Sequence, residues 1–142
     1  RRMVSDYVMT EANCKSERLV KDSIGLASYA MDSHFCQRVV VEENGVTTVR
    51  NEGGFGQDLA KPYSIAYRSI VPKIEECTNL LVPLCLSASH VAFGSIRMEP
   101  VFMIMGQSAG AAACIAIADE VSVQAVNYEK LRAQLVAAKQ KL

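Results

Sequence analysis

From Val101 to Ala118 the chain carries no charged residue, and alanine, glycine, serine and cysteine make up much of the run. The run is near the ~20 residues a membrane-spanning helix needs, and a buried helix of a soluble domain explains the same residues. Inside it lies Gly106-Gln107-Ser108-Ala109-Gly110, which satisfies two patterns at once: the serine-hydrolase G-x-S-x-G and the helix-pairing G-x-x-x-G. The hydrolase reading makes Val101–Met105 a strand, Ser108 the nucleophile on a tight elbow, and the residues after it a helix. That fold orders its triad as serine, acid, histidine, yet both histidines, His34 and His90, precede Ser108. The membrane reading meets Gln107 and Ser108 in mid-run, acidic flanks at Glu99 and Asp119-Glu120, and no aromatic belt. A third reading is a buried helix whose N-terminus, near Gly94 and Ser95, points free N–H groups and a positive dipole end at a ligand. Gly106 and Gly110, with Ala109 and Ala113, then let the helix lie close against a sheet. Spacing alone leaves this version and a ligand-free packed helix open.

The composition sets the frame around that helix. The 142 residues are 50% hydrophobic, enough for a domain with a core. Fifteen basic residues balance fifteen acidic ones without a basic stripe, which argues against nucleic acid as the main partner. Five cysteines form no C-x-x-C pair and read as reduced, mostly buried thiols. His34 and Cys36 could supply half of a metal site, but the other half is missing, so no metal is expected. Arg1-Arg2 is followed by no signal-peptide pattern.

Alternation over Met3–Met9 predicts a strand, and Thr10-Glu11 a helix start running towards Leu19. Ile24–Tyr29 is a second strand candidate, followed by a polar break at Met31–His34. Val39–Val41 and Val46–Val49 flank Asn44-Gly45, the chemistry of a type I′ hairpin. Asn51–Gln57, with Gly53, Gly54 and Gly56, reads as a loop. Its glycines are not a dinucleotide fingerprint, since no helix pattern follows. Tyr63–Val71 is rich in strand formers between Pro62 and Pro72. Leu80–Leu86 reads as a buried strand, with Pro83 marking an edge, bulge or end. Pro100 suits the first turn of a helix that ends at Asp119-Glu120, and Asn127 caps a last helix from Tyr128 to about Lys141.

Several segments in order resemble one family. They are Arg1–Tyr7, Asp22-Ser23-Ile24, Tyr29–His34, Pro62–Arg68, Ser87–His90, Gly94–Pro100 and Gly106–Gly110. Together they resemble the C-terminal portion of the FAD-dependent oxidoreductases, over nearly all of the chain before the last helix. Ser5 stands where the family pattern has glycine, and Ala66 where proline is common. The resemblance implies a fold between α/β and α+β, the C-terminal part of a two-domain flavoprotein. Residues 1–78 would belong to the substrate or cap domain, with strands and a hairpin. Residues 79–142 would return to the FAD-binding domain through the Leu80–Leu86 strand and the long helix. The G-x-G-x-x-G element that binds the ADP half of FAD is not in these residues. The expected partner is therefore an N-terminal FAD-binding portion, and the chain alone is expected to hold no FAD and to be inactive.

The resemblance places Ser87, Ser89, Gly94, Ser95, Ile96 and Arg97 as cofactor contacts, at a helix N-terminus facing the flavin. Preorganised donors there would stabilise the negative charge that reduction puts on the ring. His90 and His34 become candidate acid–base groups, His34 together with Asp32, and Arg68 a clamp for a substrate carboxylate or hydroxyl. Each also has a structural reading: a histidine fixing a turn, an arginine paired with a carboxylate, an Arg97–Glu99 salt bridge. A non-catalytic packing or interaction domain of the same fold is the alternative, with the Ser108 hydrolase behind it.

Overall fold

A computed structural model describes all 142 residues. The clearest local expectation is met by β3 (Gln37–Glu43) and β4 (Val46–Glu52), which pair antiparallel with Val40 opposite Val49. Asn44 (φ 55°) and Gly45 (φ 75°) take the positive φ values that a type I′ turn demands. The other strands also form two-stranded antiparallel sheets. β1 (Ser23–Ala27) pairs with β6 (Tyr63–Ala66), and β2 (Met31–Ser33) with β5 (Phe55–Gln57). With the helices, the fold is mixed α+β, the second half of the expected range.

Four helices complete it. α1 is a single turn, Glu11–Cys14, closed by a capping box between Thr10 and Asn13. α2 runs from His90 to Ile96, and the long α3 from Glu99 to Ala118 with Pro100 in its first turn. Pro100 lacks only an N–H that the helix start leaves unused. α4, Tyr128–Ala137, begins where the Asn127 side chain accepts the Lys130 N–H at 3.2 Å.

The charge-free run is thus one uninterrupted helix. Val101, Met105, Ser108, Ala109, Ala112, Ile115 and Ala116 form its buried face, packed on β1 and α4. Gly25 of β1 permits this approach, because a side chain there would meet Ile104. One hydrophobic cluster joins this layer to Met9, Ile24, Met31, Tyr63, Ile65, Leu86, Ile96 and Leu131, each almost wholly buried. Burial of a side chain of this kind contributes roughly 1.5–3 kcal/mol. The cluster draws from both sides of Thr78, so the two expected segments share a core. By length and composition alone α3 could also cross a membrane.

Several expectations are corrected. Leu80–Leu86 is not a strand: Leu80 and Leu84 are about half exposed, and only Leu86 is buried. Pro83 lacks an N–H, and the segment's backbone ties are isolated: the Val82 N–H donates to the Ile70 carbonyl, and the Cys85 carbonyl accepts the Met3 N–H. Met3–Met9 also forms no strand. A turn held by the Ser5 hydroxyl breaks it, leaving a single parallel bridge between Met9 and Ala88. The expected polar break at Met31–His34 holds β2, and the expected loop at Asn51–Gln57 holds the end of β4, which pairs with β3, and β5, which pairs with β2. The Tyr63–Val71 strand ends at Ala66 and becomes a 3₁₀ turn over Tyr67–Ile70. The first helix stops at Cys14 and the last at Ala137. Of the cysteines only Cys14 is buried.

Candidate functional site

The residues singled out in sequence converge on the junction of α2 with β2. Ser89 caps α2, its Oγ accepting the Ala92 N–H at 3.2 Å, and His90 is the exposed first helical residue. The His90 Nε2 lies 2.9 Å from the Ser33 Oγ on β2. At the other end of α2, Arg97 Nη2 donates to Asp32 Oδ2 at 2.9 Å. Consecutive residues of one strand therefore hold the two ends of one helix. Gly94 sits between them, where a Cβ would run into the Asp32 backbone, so glycine is what lets α2 lie on β2. His34 Nε2 reaches to 3.8 Å from the same Asp32 oxygen, from a side chain that is 84% exposed.

Other candidates in this stretch face inward. Ser95 is fully buried: its Oγ accepts from the Tyr63 hydroxyl at 2.7 Å and donates to the Tyr29 carbonyl at 2.5 Å. Burial pushes the Tyr63 phenol far above its ordinary range, so it stays a neutral donor. Ser87 is fully buried, its Oγ accepting the Ser5 N–H at 3.0 Å, and Ile96 belongs to the core. Gly94–Arg97 is not a helix start. α2 begins at His90 and α3 at Glu99, so the two positive dipole ends lie at Ser89–Val91 and Met98–Val101.

Arg68 stands apart from this cluster. Its Nε and Nη2 donate to the two oxygens of Asp22, each at 3.0 Å, and its backbone N–H donates to Asp22 Oδ2. The guanidinium also stacks 4.5 Å from the centre of the Tyr7 ring. Burial alone would raise the Asp22 carboxyl, but the Arg68 hydrogen bonds and charge outweigh it and hold the carboxyl below its usual range. The outer side of Arg68 lines a cleft with Asp6, Tyr67, Val71, Pro72 and Gln124.

Ser108 lies mid-helix and fully buried, within 2.7 Å of the Ile24 carbonyl and 3.0 Å of the Ile104 carbonyl, and accepts from Gln140 Nε2 at 2.6 Å. It has no elbow and no histidine, which overturns the hydrolase reading. Gly106 and Gly110 also change meaning. Nothing in the chain lies within 4 Å of a Cβ placed on either, so neither packs against this chain's own strands. Sequence reasoning gave no separate weight to Ser33 or Asp22. Their partners lie 57 and 46 residues away, beyond any local pattern.

The profile of the family described as FAD dependent oxidoreductase matches residues 1–135. The chain belongs to that family. Neither the comparison with curated proteins nor that with solved structures produced a match. Membership implies FAD in the full-length relatives. Tested against FAD, the residues divide. His90 is exposed and Ser33, Ser89 and Arg97 are partly exposed, polar groups of a kind compatible with a flavin's polar edge, whereas Ser87, Ser95 and Ile96 are enclosed by protein. These residues include no G-x-G-x-x-G element, the usual cradle for the ADP half of FAD.

Proposed function

We propose that this chain is the C-terminal portion of an FAD-dependent oxidoreductase and that the α2–β2 junction is its wall towards the flavin. The carrying observation is the gathering of Ser33, Asp32, His34, His90 and Arg97 at one junction in a member of this family. In this reading residues 1–78 belong to the substrate domain and residues 79–142 to the FAD-binding domain. Bound FAD would supply the two-electron chemistry. His90, open to solvent, carries a proton between substrate and water, and His34 beside Asp32 borders the same space. Arg97 and Ser89 face the cofactor. Ser87, Gly94, Ser95 and Ile96 serve it from behind, by holding α2 in place. Arg68 holds a substrate carboxylate or hydroxyl at the Asp6–Gln124 cleft through the guanidinium edge that Asp22 leaves free.

The partner in this reading is a dinucleotide-binding portion carrying G-x-G-x-x-G, seated on the uncovered face of α3. Met103 (75% exposed), Gly106, Gly110, Cys114 and Ile117 (78% exposed) line that face and support the assignment. Small residues there allow a close backbone approach. The chain alone would not retain FAD.

The test is the complete reading frame that contains this chain. Its product is expected to purify yellow, with a flavin spectrum, and to lose flavin retention or turnover in His90→Ala or Arg97→Ala. A colourless product that takes up no FAD, from a frame without a strand–G-x-G-x-x-G–helix unit, sinks the proposal. That same result would favour a second reading that the bare α3 face also supports: a non-catalytic packing domain of this fold.

A further inference from the structure

Only one ring nitrogen of His90 is engaged. Nε2 meets the Ser33 hydroxyl at 2.9 Å, and Nδ1 makes no hydrogen bond to the chain. Both partners stand on fixed backbone. His90 follows directly on the Ser89 cap, and Ser33 is paired with Phe55 across β2–β5. The Asp32–Arg97 ion pair and the tight Gly94 contact clamp the same strand to the same helix. We propose that Ser33 is a positioning residue for His90: its hydroxyl holds Nε2, and Nδ1 is the nitrogen that exchanges a proton with a hydroxyl-bearing substrate.

The inference rests on the reading of His90 as the proton carrier. A base usually has its far nitrogen oriented by a carboxylate. Here the charged groups around α2 are committed elsewhere. Asp32 pairs with Arg97 and borders His34. Glu11 and Lys15 on α1 pair with each other. Arg2, on the N-terminal segment, donates to the Ala88 carbonyl and lies 5.1 Å from the Phe93 ring centre. The hydroxyl is the group left to set the ring. In the step this permits, Nε2–H donates to the Ser33 oxygen and Nδ1 takes the substrate O–H proton; bound FAD would supply the two-electron acceptor for the hydride on the same carbon. The substrate becomes a carbonyl compound, and the imidazolium returns its proton to solvent.

The first measurement needs no cofactor. In the ¹⁵N-labelled chain, long-range ¹H–¹⁵N correlation of the His90 ring reads the tautomer directly. The tautomer with the proton on Nε2, donated to the Ser33 oxygen, is expected to dominate in the wild type, to give way to a mixture in Ser33→Ala, and to return in Ser33→Thr. A wild-type mixture, a wild-type ring protonated on Nδ1, or the same populations in Ser33→Ala overturns the proposal. Should Ser33→Ala fail to fold, the wild-type tautomer and Ser33→Thr still decide it. In the flavin-bearing protein, Ser33→Ala is expected to lower kcat about tenfold with little change in KM, below the ~10²–10⁴ that loss of the general acid–base itself costs. Unchanged turnover in His90→Ala removes the proton-carrier reading while leaving the tautomer result standing. Slow turnover in His90→Ala with unchanged tautomer and kcat in Ser33→Ala removes the Ser33 role alone.

Discussion

At the residue scale, the chain spends its polar side chains on internal contacts. Asp22 is the clearest case, since Arg68 meets both its oxygens and lends it a backbone N–H. Its folded pKa lies below its unfolded value. The pair's stabilisation is therefore present above the ordinary carboxyl value of about 4 and is lost as pH falls through the lower folded value. Thermal melts between neutral and acid pH are expected to show this loss, and Asp22→Asn is expected to flatten that part of the profile. Arg68→Met leaves a largely buried carboxylate without its partner and is expected to cost about 2 kcal/mol in urea unfolding, the scale of a hydrogen bond to a charged group. Thiol reactivity follows exposure in the same way. Burial pushes the Cys14 thiol up, while Cys36, Cys85 and Cys114 are exposed. Iodoacetamide at mild alkaline pH is expected to modify those three first and Cys14 only on unfolding. Labelling of Cys14 at the same rate in the folded chain would contradict the packing around α1.

At the element scale, glycines separate two kinds of helix contact. Gly94 lies where a Cβ would strike the Asp32 backbone, so Gly94→Ala must push α2 off β2 and is expected to cost about 1–3 kcal/mol. Gly106 and Gly110 face open space on an exposed helix surface. Changing either to alanine removes helix-interior glycine, and the isolated chain is expected to gain up to ~1 kcal/mol. The same urea titration run on all three variants checks both signs. The local patterns explain which elements were legible. Asn44-Gly45 between valine runs is a complete hairpin instruction, and Asn127 before an apolar stripe is a complete helix start. Leu80–Leu86 has strand composition, but a strand needs a neighbouring ladder, and Pro83 with half-exposed leucines finds none here. β2 and β5 fail in the opposite way. Their polar and glycine residues look like breaks, yet pairing with each other holds them extended.

At the scale of the whole molecule, one apolar face of α3 is left bare while the opposite face is core. If that bare face seats the dinucleotide-binding portion, Cys114 is expected to label freely in the isolated chain and to be protected in the intact flavoprotein. Met103→Glu with Ile117→Glu is expected to leave the isolated chain's unfolding midpoint nearly unchanged, because both side chains are exposed, and to abolish flavin retention in the intact protein. Retained flavin with Cys114 still reactive would place the partner elsewhere. By itself the sequence determined the hairpin, the two capped helices, the long charge-free helix and the family, because each is written in neighbouring residues or in ordered motifs. Only the tertiary structure decided which motif residues reach solvent. It turned Ser87, Ser95 and Ser108 into internal hydrogen-bond partners, moved the helix start from Gly94 to His90, and brought Ser33 to the imidazole. Those outcomes depend on contacts across tens of residues, where the packing of α2 and α3 on the strands fixes which way each side chain points.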